Sequence, residues 1–256
     1  MFKVDLNCDL GESFGNYRIG DDENVIPLIS SANIACGFHA SDPVVMQRTV
    51  NAAAASSVGI GAHPGYPDLM GFGRRFMKLS AEEAEAYVMY QIGALSSFVA
   101  AAGKCIQHVK PHGALYNAAA KDSVLADAIC RAIKKASPES ILLALSGSEM
   151  VEAAHRNGLR VACEVFADRA YNDDGTLVAR YEPGSVITDE NEAVSRAVRM
   201  VREGIVVSRS GKKVAVQADS ICVHGDGAKA LAFVKKIRSV FESMQICICP
   251  LCEIIE

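Results

Sequence analysis

The 256-residue sequence contains no stretch of about 18 or more uninterrupted apolar residues, so it offers no transmembrane helix. Basic charge is not in excess: 26 Lys and Arg stand against 30 Asp and Glu, for a formal net charge of -4. Nucleic acid and anionic membranes reward a basic surface, so neither is expected as a partner. The opening residues MFKVDLNCDLGE turn acidic at once and hold no apolar signal core, which points to a cytoplasmic protein. Low-complexity segments, internal repeats and linkers are also missing. One domain spanning 1–256 is expected, a length that α/β barrels commonly reach as a single unit.

Several signatures of nucleotide binding and catalysis are absent. Gly103–Lys104 and Gly211–Lys212 lack the earlier glycine of a phosphate loop, and Gly71-Phe72-Gly73 runs into arginines instead of a third glycine. If the reaction uses ATP, a phosphate loop in this chain is not what binds it. H-E-x-x-H and G-x-S-x-G do not occur. The D-x-N-x-D of residues 5–9 has the start of a calcium loop, but Leu10 occupies the glycine position and Asn16 the glutamate position. The nine cysteines lie mostly in apolar runs and read as reduced, buried thiols. Cys247, Cys249 and Cys252 form a C-x-C-x-x-C without a nearby fourth ligand, a weak metal or redox signal.

What is present is an alternation of short β runs and helices. Strands are expected at 3–7, 32–36, 58–61, 105–110, 141–145, 159–165 and 220–223. Asp42 before Pro43 starts a helix running to about 55, and Ser80 with Glu83 forms a capping box for a helix ending at Gly103. Further helices are expected at 122–136, 148–157, 189–203 and 227–243. Segment 166–188 reads as an irregular excursion or small hairpin. Strand–helix alternation implies a parallel sheet, open or closed.

The chemistry lies where strands end. In the first strand Val4, Leu6 and Cys8 face one way and Asp5, Asn7 and Asp9 the other. Carboxylates on one face of a central strand need partners or water; an exposed edge strand is the alternative. His39, His63, His112 and His224 each follow a strand, near Arg74, Arg75, Lys110, Tyr116, Glu164, Asp168, Arg169 and Asp226. His155, near a helix C-terminus, and His108, inside a strand, have structural explanations. In parallel α/β folds the C-terminal strand ends share one face, and that face carries the site. Carboxylates with imidazoles move protons near neutral pH. Lys110 and Arg169 suit a substrate carboxylate or a developing oxyanion. Asp and His together also suit a divalent metal, which spacing alone leaves open.

Six segments, DLNCDLGESFG (5–15), NIACGFHASDP (33–43), GAHPGYPDLMGFGRR (61–75), VKPHGALYN (109–117), EVFADRAY (164–171) and SICVHGD (220–226), resemble the LamB/YcsF family in the same order over nearly the whole chain. The resemblance implies an irregular seven-stranded β/α barrel of the glycoside hydrolase/deacetylase type. It also implies the A component of a bacterial ATP-dependent 5-oxoprolinase, which opens 5-oxo-L-proline to L-glutamate and acts with subunits B and C. On that basis the lactam oxygen is activated by phosphorylation, with ATP bound with or by the partners. Asp5 or Asp9, with His39, His63 or His112, positions and deprotonates water. Lys110 or Arg169 meets the substrate carboxylate, and Asn7, Glu12, Asp168 and His224 complete the binding set. Two other readings stand beside it: a metal-dependent hydrolase of related fold acting alone, and a non-catalytic substrate-binding subunit. The chain departs from the resemblance at Ser41, where the family usually has glycine and where a serine can help cap the next helix, and in its cysteine-rich tail.

Overall fold

A computed structural model describes residues 2–224 and 230–255. Ten strands are described: β1 (Phe2–Leu10), β2 (Ser31–Ala35), β3 (Gly59–His63), β4 (His108–Val109), β5 (Ile141–Leu145), β6 (Val161–Phe166), β7 (Ile205–Val207), β8 (Lys213–Ala215), β9 (Ser220–His224) and β10 (Ile246–Ile248). The helices are α1 (Asp22–Val25), α2 (Pro43–Ala55), α3 (Ala81–Ala101), α4 (Gly113–Ala119), α5 (Ser123–Ala136), α6 (Glu149–Asn157), α7 (Glu190–Glu203) and α8 (Ala230–Ser243). The strands β1-β2-β3-β4-β5-β6-β9 pair side by side, and β9 pairs again with β1, closing a seven-stranded parallel barrel. This is the closed form of the sheet that strand–helix alternation allowed. β10 joins outside that ring, pairing with Phe2, Lys3 and Val4 below the point where β9 takes over.

The barrel explains why β1 carries acids on one face. Val4, Leu6 and Cys8 are fully buried against the helices, while Asp5 and Asn7 are fully buried inside the barrel. From Asn7 to Asp9 this strand is paired on both sides, by β2 and β9, so its acids do not stand on an exposed edge. The helical layer packs on the outer apolar face, with Val88, Ile92, Leu95 and Val99 of α3 and Ile129 and Ile133 of α5 essentially inaccessible.

Helix starts follow the sequence signals. Ser80 and Glu83 form the reciprocal capping box. Asp42 accepts from the amides of Val44 and Val45, so Asp42 and not Ser41 caps α2. Ser41 instead takes φ 76°, the left-handed region where glycine is unstrained. That is the physical reason a glycine suits this position. Segment 166–188 forms isolated bridges, Arg169 with Val186 and Tyr171 with Leu177, in place of a regular hairpin. A regular hairpin, β7–β8, lies further along at residues 205–215, to which the sequence pattern assigns no strand. The fourth strand is shorter than the expected 105–110, only His108–Val109.

Candidate active site

At the C-terminal mouth of the barrel lies a cavity of about 780 Å³. Asp9, Glu12, His63, Lys110 and His112 line it, together with Arg74, Arg169 and Arg180, and Tyr116 and Phe166. The carboxylates, imidazoles and Lys110 arrive at or just beyond strand ends. Asp9 is the penultimate residue of β1; Gly11, with φ 68°, then turns the chain so that Glu12 comes back to the mouth. His63 ends β3, and Lys110 follows β4. His112 precedes α4, and its amide is held by the carbonyl of Pro64.

Lys110 is the hub. It is almost wholly buried, and its Nζ lies 2.7 Å from Glu164 Oε1, 3.0 Å from Asp9 Oδ1 and 3.2 Å from Asn7 Oδ1. Burial opposes its charge, but Asp9, Cys222 and Glu164 outweigh that and hold its pKa well above the usual lysine value. Glu164 also accepts from Tyr116 Oη at 2.6 Å and from Asn7 Nδ2 at 3.0 Å. Lys110 is thus engaged by two carboxylates, and the other cations along the cavity wall are Arg74, Arg169, Arg180 and Lys121.

The histidines form a second group. His63 Nδ1 donates to the Lys110 carbonyl at 2.7 Å, and His112 Nε2 donates to the Phe72 carbonyl at 2.8 Å. His63 Nε2 lies 3.4 Å from Asp9 Oδ2. His39 is completely buried behind the mouth, its ring stacked on His112 at 3.6 Å. Burial, with His112 and His63 beside it, holds His39 well below the ordinary imidazole value; burial, reinforced by His63, does the same for His112. Glu12, His39, His63 and His112 are all buried, and one ligand atom from each lies within 4.8 Å of all the others.

Several residues expected at the site stand elsewhere. Asp5 is one layer deeper, accepting from Ser30 at 2.6 Å, Ser31 at 2.7 Å and Ser220, and it does not line the cavity. Desolvation pushes its pKa up to about 6, although the three hydroxyls oppose the rise. Asn7 is also below the mouth, its amide engaged with Glu164, Ser220, Asn33 and Lys110. Asp168 follows β6 outside the cavity lining, whereas Arg169 lines it and donates to the carbonyls of Val178 and Ser185. The backbone of His224 ends β9 in register with Asp9; its side chain and Asp226 lie outside the described residues. The sequence pattern sets Glu164 and Tyr116 at strand ends but assigns them no role. Arg180 lies in the irregular stretch after β6, where no periodicity points to it. Among the described residues all nine cysteines are free, Cys249 buried and Cys252 exposed.

A parallel β/α barrel with a charged cavity at the strand C-termini has the architecture of an enzyme of this fold class. Residues 4–256 match the LamB/YcsF family, and the chain belongs to that family. It is 62% identical over 251 residues to the 5-oxoprolinase A-subunit of Clostridium beijerinckii, covering 98% of each chain. It is 55% identical over 246 residues to the protein of that name in Bacillus subtilis, covering 96% of each. The crystal structure of the lactam utilization protein from Thermus thermophilus superposes with a TM-score of 0.91 at 48% identity, covering 96% of this chain and 99% of that one. Among the described residues no helix is long and apolar enough to cross a membrane.

Proposed function

We propose that this chain, as one barrel domain, is the lactam-handling component of a cytoplasmic ATP-dependent 5-oxoprolinase and acts with subunits B and C. The observation that carries this reading is the mouth cavity itself, which sets Asp9 and His63 on the floor and arginines on the wall. A cyclic amide bearing a carboxylate matches that division: the carboxylate meets Arg74, Arg169 or Arg180, and the ring carbonyl faces the floor. The relatives are each named as one lettered component of a 5-oxoprolinase, which supports a partner-dependent enzyme.

Amide resonance makes the ring carbonyl a poor electrophile, which is why coupling to ATP is chemically reasonable. Transfer of the γ-phosphoryl group to the lactam oxygen, with ADP leaving, makes the ring carbon electrophilic. Asp9, fixed by Lys110 and adjacent to His63, orients a water and takes its proton as the oxygen bonds to that carbon. The carbon–nitrogen bond then breaks, the nitrogen gains a proton, and the acyl phosphate formed is hydrolysed by a second water to glutamate and phosphate. ATP is held with or by the partner subunits.

The test is the chain purified with its B and C partners, assayed for ATP-dependent release of glutamate from 5-oxoproline. Asp9→Asn is expected to lower turnover by about 100-fold or more, the scale of a lost general base, while the complex still assembles. Wild-type turnover in Asp9→Asn, or no glutamate from the intact complex, sinks the reading.

A further inference from the structure

We propose that Glu12, His39, His63 and His112 form a binding site for one divalent transition-metal ion of the zinc class. The argument begins with proton positions. A carbonyl oxygen only accepts, so His63 Nδ1, against Lys110 O, and His112 Nε2, against Phe72 O, both carry hydrogen. In neutral rings the other two nitrogens then carry lone pairs. Those nitrogens, His63 Nε2 and His112 Nδ1, face each other at 2.9 Å. Two lone pairs at that distance repel, and a hydrogen between them requires one ring to be a buried imidazolium. A cation between them turns the same geometry into coordination. Imidazole ligands are commonly oriented in this way, by a backbone carbonyl on the far nitrogen.

His39 supplies an independent observation. It is completely buried, and neither of its ring nitrogens has a hydrogen-bond partner. An unmatched buried polar group of this kind costs about 1–3 kcal/mol, and this one points into the cluster, with Nε2 3.4 Å from Glu12 Oε1. Glu12 Oε1 also lies 3.7 Å from His112 Nδ1. Four ligands placed tetrahedrally at about 2.1 Å from a zinc-like ion stand about 3.4 Å apart. The observed separations of 2.9, 3.4 and 3.7 Å bracket that value.

The backbone is built around the rings. A Cβ on Gly73 would come within 2.8 Å of both His112 Cδ2 and His39 Cβ, and a Cβ on Gly65 within 2.7 Å of His39 Nδ1. Gly73 also has φ 62°. Three imidazoles with one carboxylate select zinc, cobalt, iron or manganese over calcium or magnesium, which favour all-oxygen shells. Asp9 Oδ2, 3.4 Å from His63 Nε2, is a further oxygen beside this site. The site stands on its own geometry and does not depend on which substrate the cavity takes.

The experiment uses the full chain, tag removed and stripped with chelator, then loaded separately with Zn²⁺, Co²⁺ or Mn²⁺ and desalted. Elemental analysis is expected to give one ion per chain. Bound Co²⁺ is expected to show the intense visible absorption of a low-coordinate histidine site, and metal to raise the melting temperature. His63→Ala and the milder Glu12→Gln should weaken metal affinity by about 100-fold or more, at least what loss of an outer-shell partner reaches. His155→Gln, on α6, should bind as wild type. Substoichiometric metal in the wild-type chain for all three ions overturns the proposal, even if a variant fails to fold. So does stoichiometric binding that both cluster variants retain. If wild type binds no metal and NMR finds a protonated His63–His112 pair, the cluster is a hydrogen-bonded imidazolium chain.

Discussion

Replacing Lys110 with methionine keeps most of the side-chain volume and removes the charge that two buried carboxylates share. Lys110 is 2% exposed, Glu164 is inaccessible, and Asp9 is only 13% exposed. Breaking a buried ion pair by removing one partner costs about 3–5 kcal/mol, because the other charge stays behind in a poorly polarisable site. For a chain of this size that corresponds to a fall in melting temperature of about 6–20 °C. The pH dependence gives a sharper test. The Lys110 pKa lies above its unfolded value, so its contribution is complete below about pH 10 and is lost only in alkali. Urea denaturation at pH 7 should therefore show the full gap between Lys110→Met and wild type, a gap that narrows only in alkali as the wild-type lysine loses its proton. Adding Glu164→Gln to Lys110→Met should cost less than the sum of the single changes, by about 2 kcal/mol. A single-variant loss under about 1 kcal/mol that does not change with pH, or strict additivity, would refute the account of Lys110 as a buried hub.

Asp5 has a raised folded pKa of about 6 against 3.8, so its ionisation destabilises the fold above about pH 4, and fully above about pH 6. The stability of wild type relative to Asp5→Asn should fall by about 3 kcal/mol between pH 4 and pH 7 in urea titrations, and a flat difference contradicts this. Ser41→Gly relieves the positive φ at a small entropic cost and should stabilise by up to about 1 kcal/mol, seen as a raised melting temperature. Ser80→Ala removes the cap of α3 and should destabilise by about 1 kcal/mol on chemical denaturation.

Much of the scaffold was legible because its signals are local. Alternation in β1 placed Asp5, Asn7 and Asp9 on one face, and caps such as Ser80 and Asp42 marked helix starts within a residue. Strand ends pointed to the mouth, so Asp9, His63, Lys110 and His112 were found together. Depth was not legible. Asp5 and Asp9 share a face and residue type, and only barrel stagger separates the buried layer from the cavity floor. The engagement of Lys110 by Glu164 and Asp9 was equally hidden, since those residues come from three strand ends far apart in sequence. Arg180 left no pattern because irregular backbone has no period. The facing nitrogens of His63 and His112 depend on which carbonyl each ring meets, a matter of loop geometry around Phe72 and Lys110.

The closure of β1 against β9 bears on how this chain is made. Asp5 must wait for Ser220, 215 residues further along, before its carboxylate finds that partner, and Phe2 waits longer for β10. On a ribosome the first strand therefore emerges long before its second neighbour exists. A half-assembled sheet usually offers other chains two oily surfaces. Here the inner surface carries Asp5, Asn7, Asn33 and Asp9, groups that water solvates well until the ring shuts. The polar lining buried inside the finished barrel thus keeps the unfinished wall wet, and so discourages aggregation during synthesis.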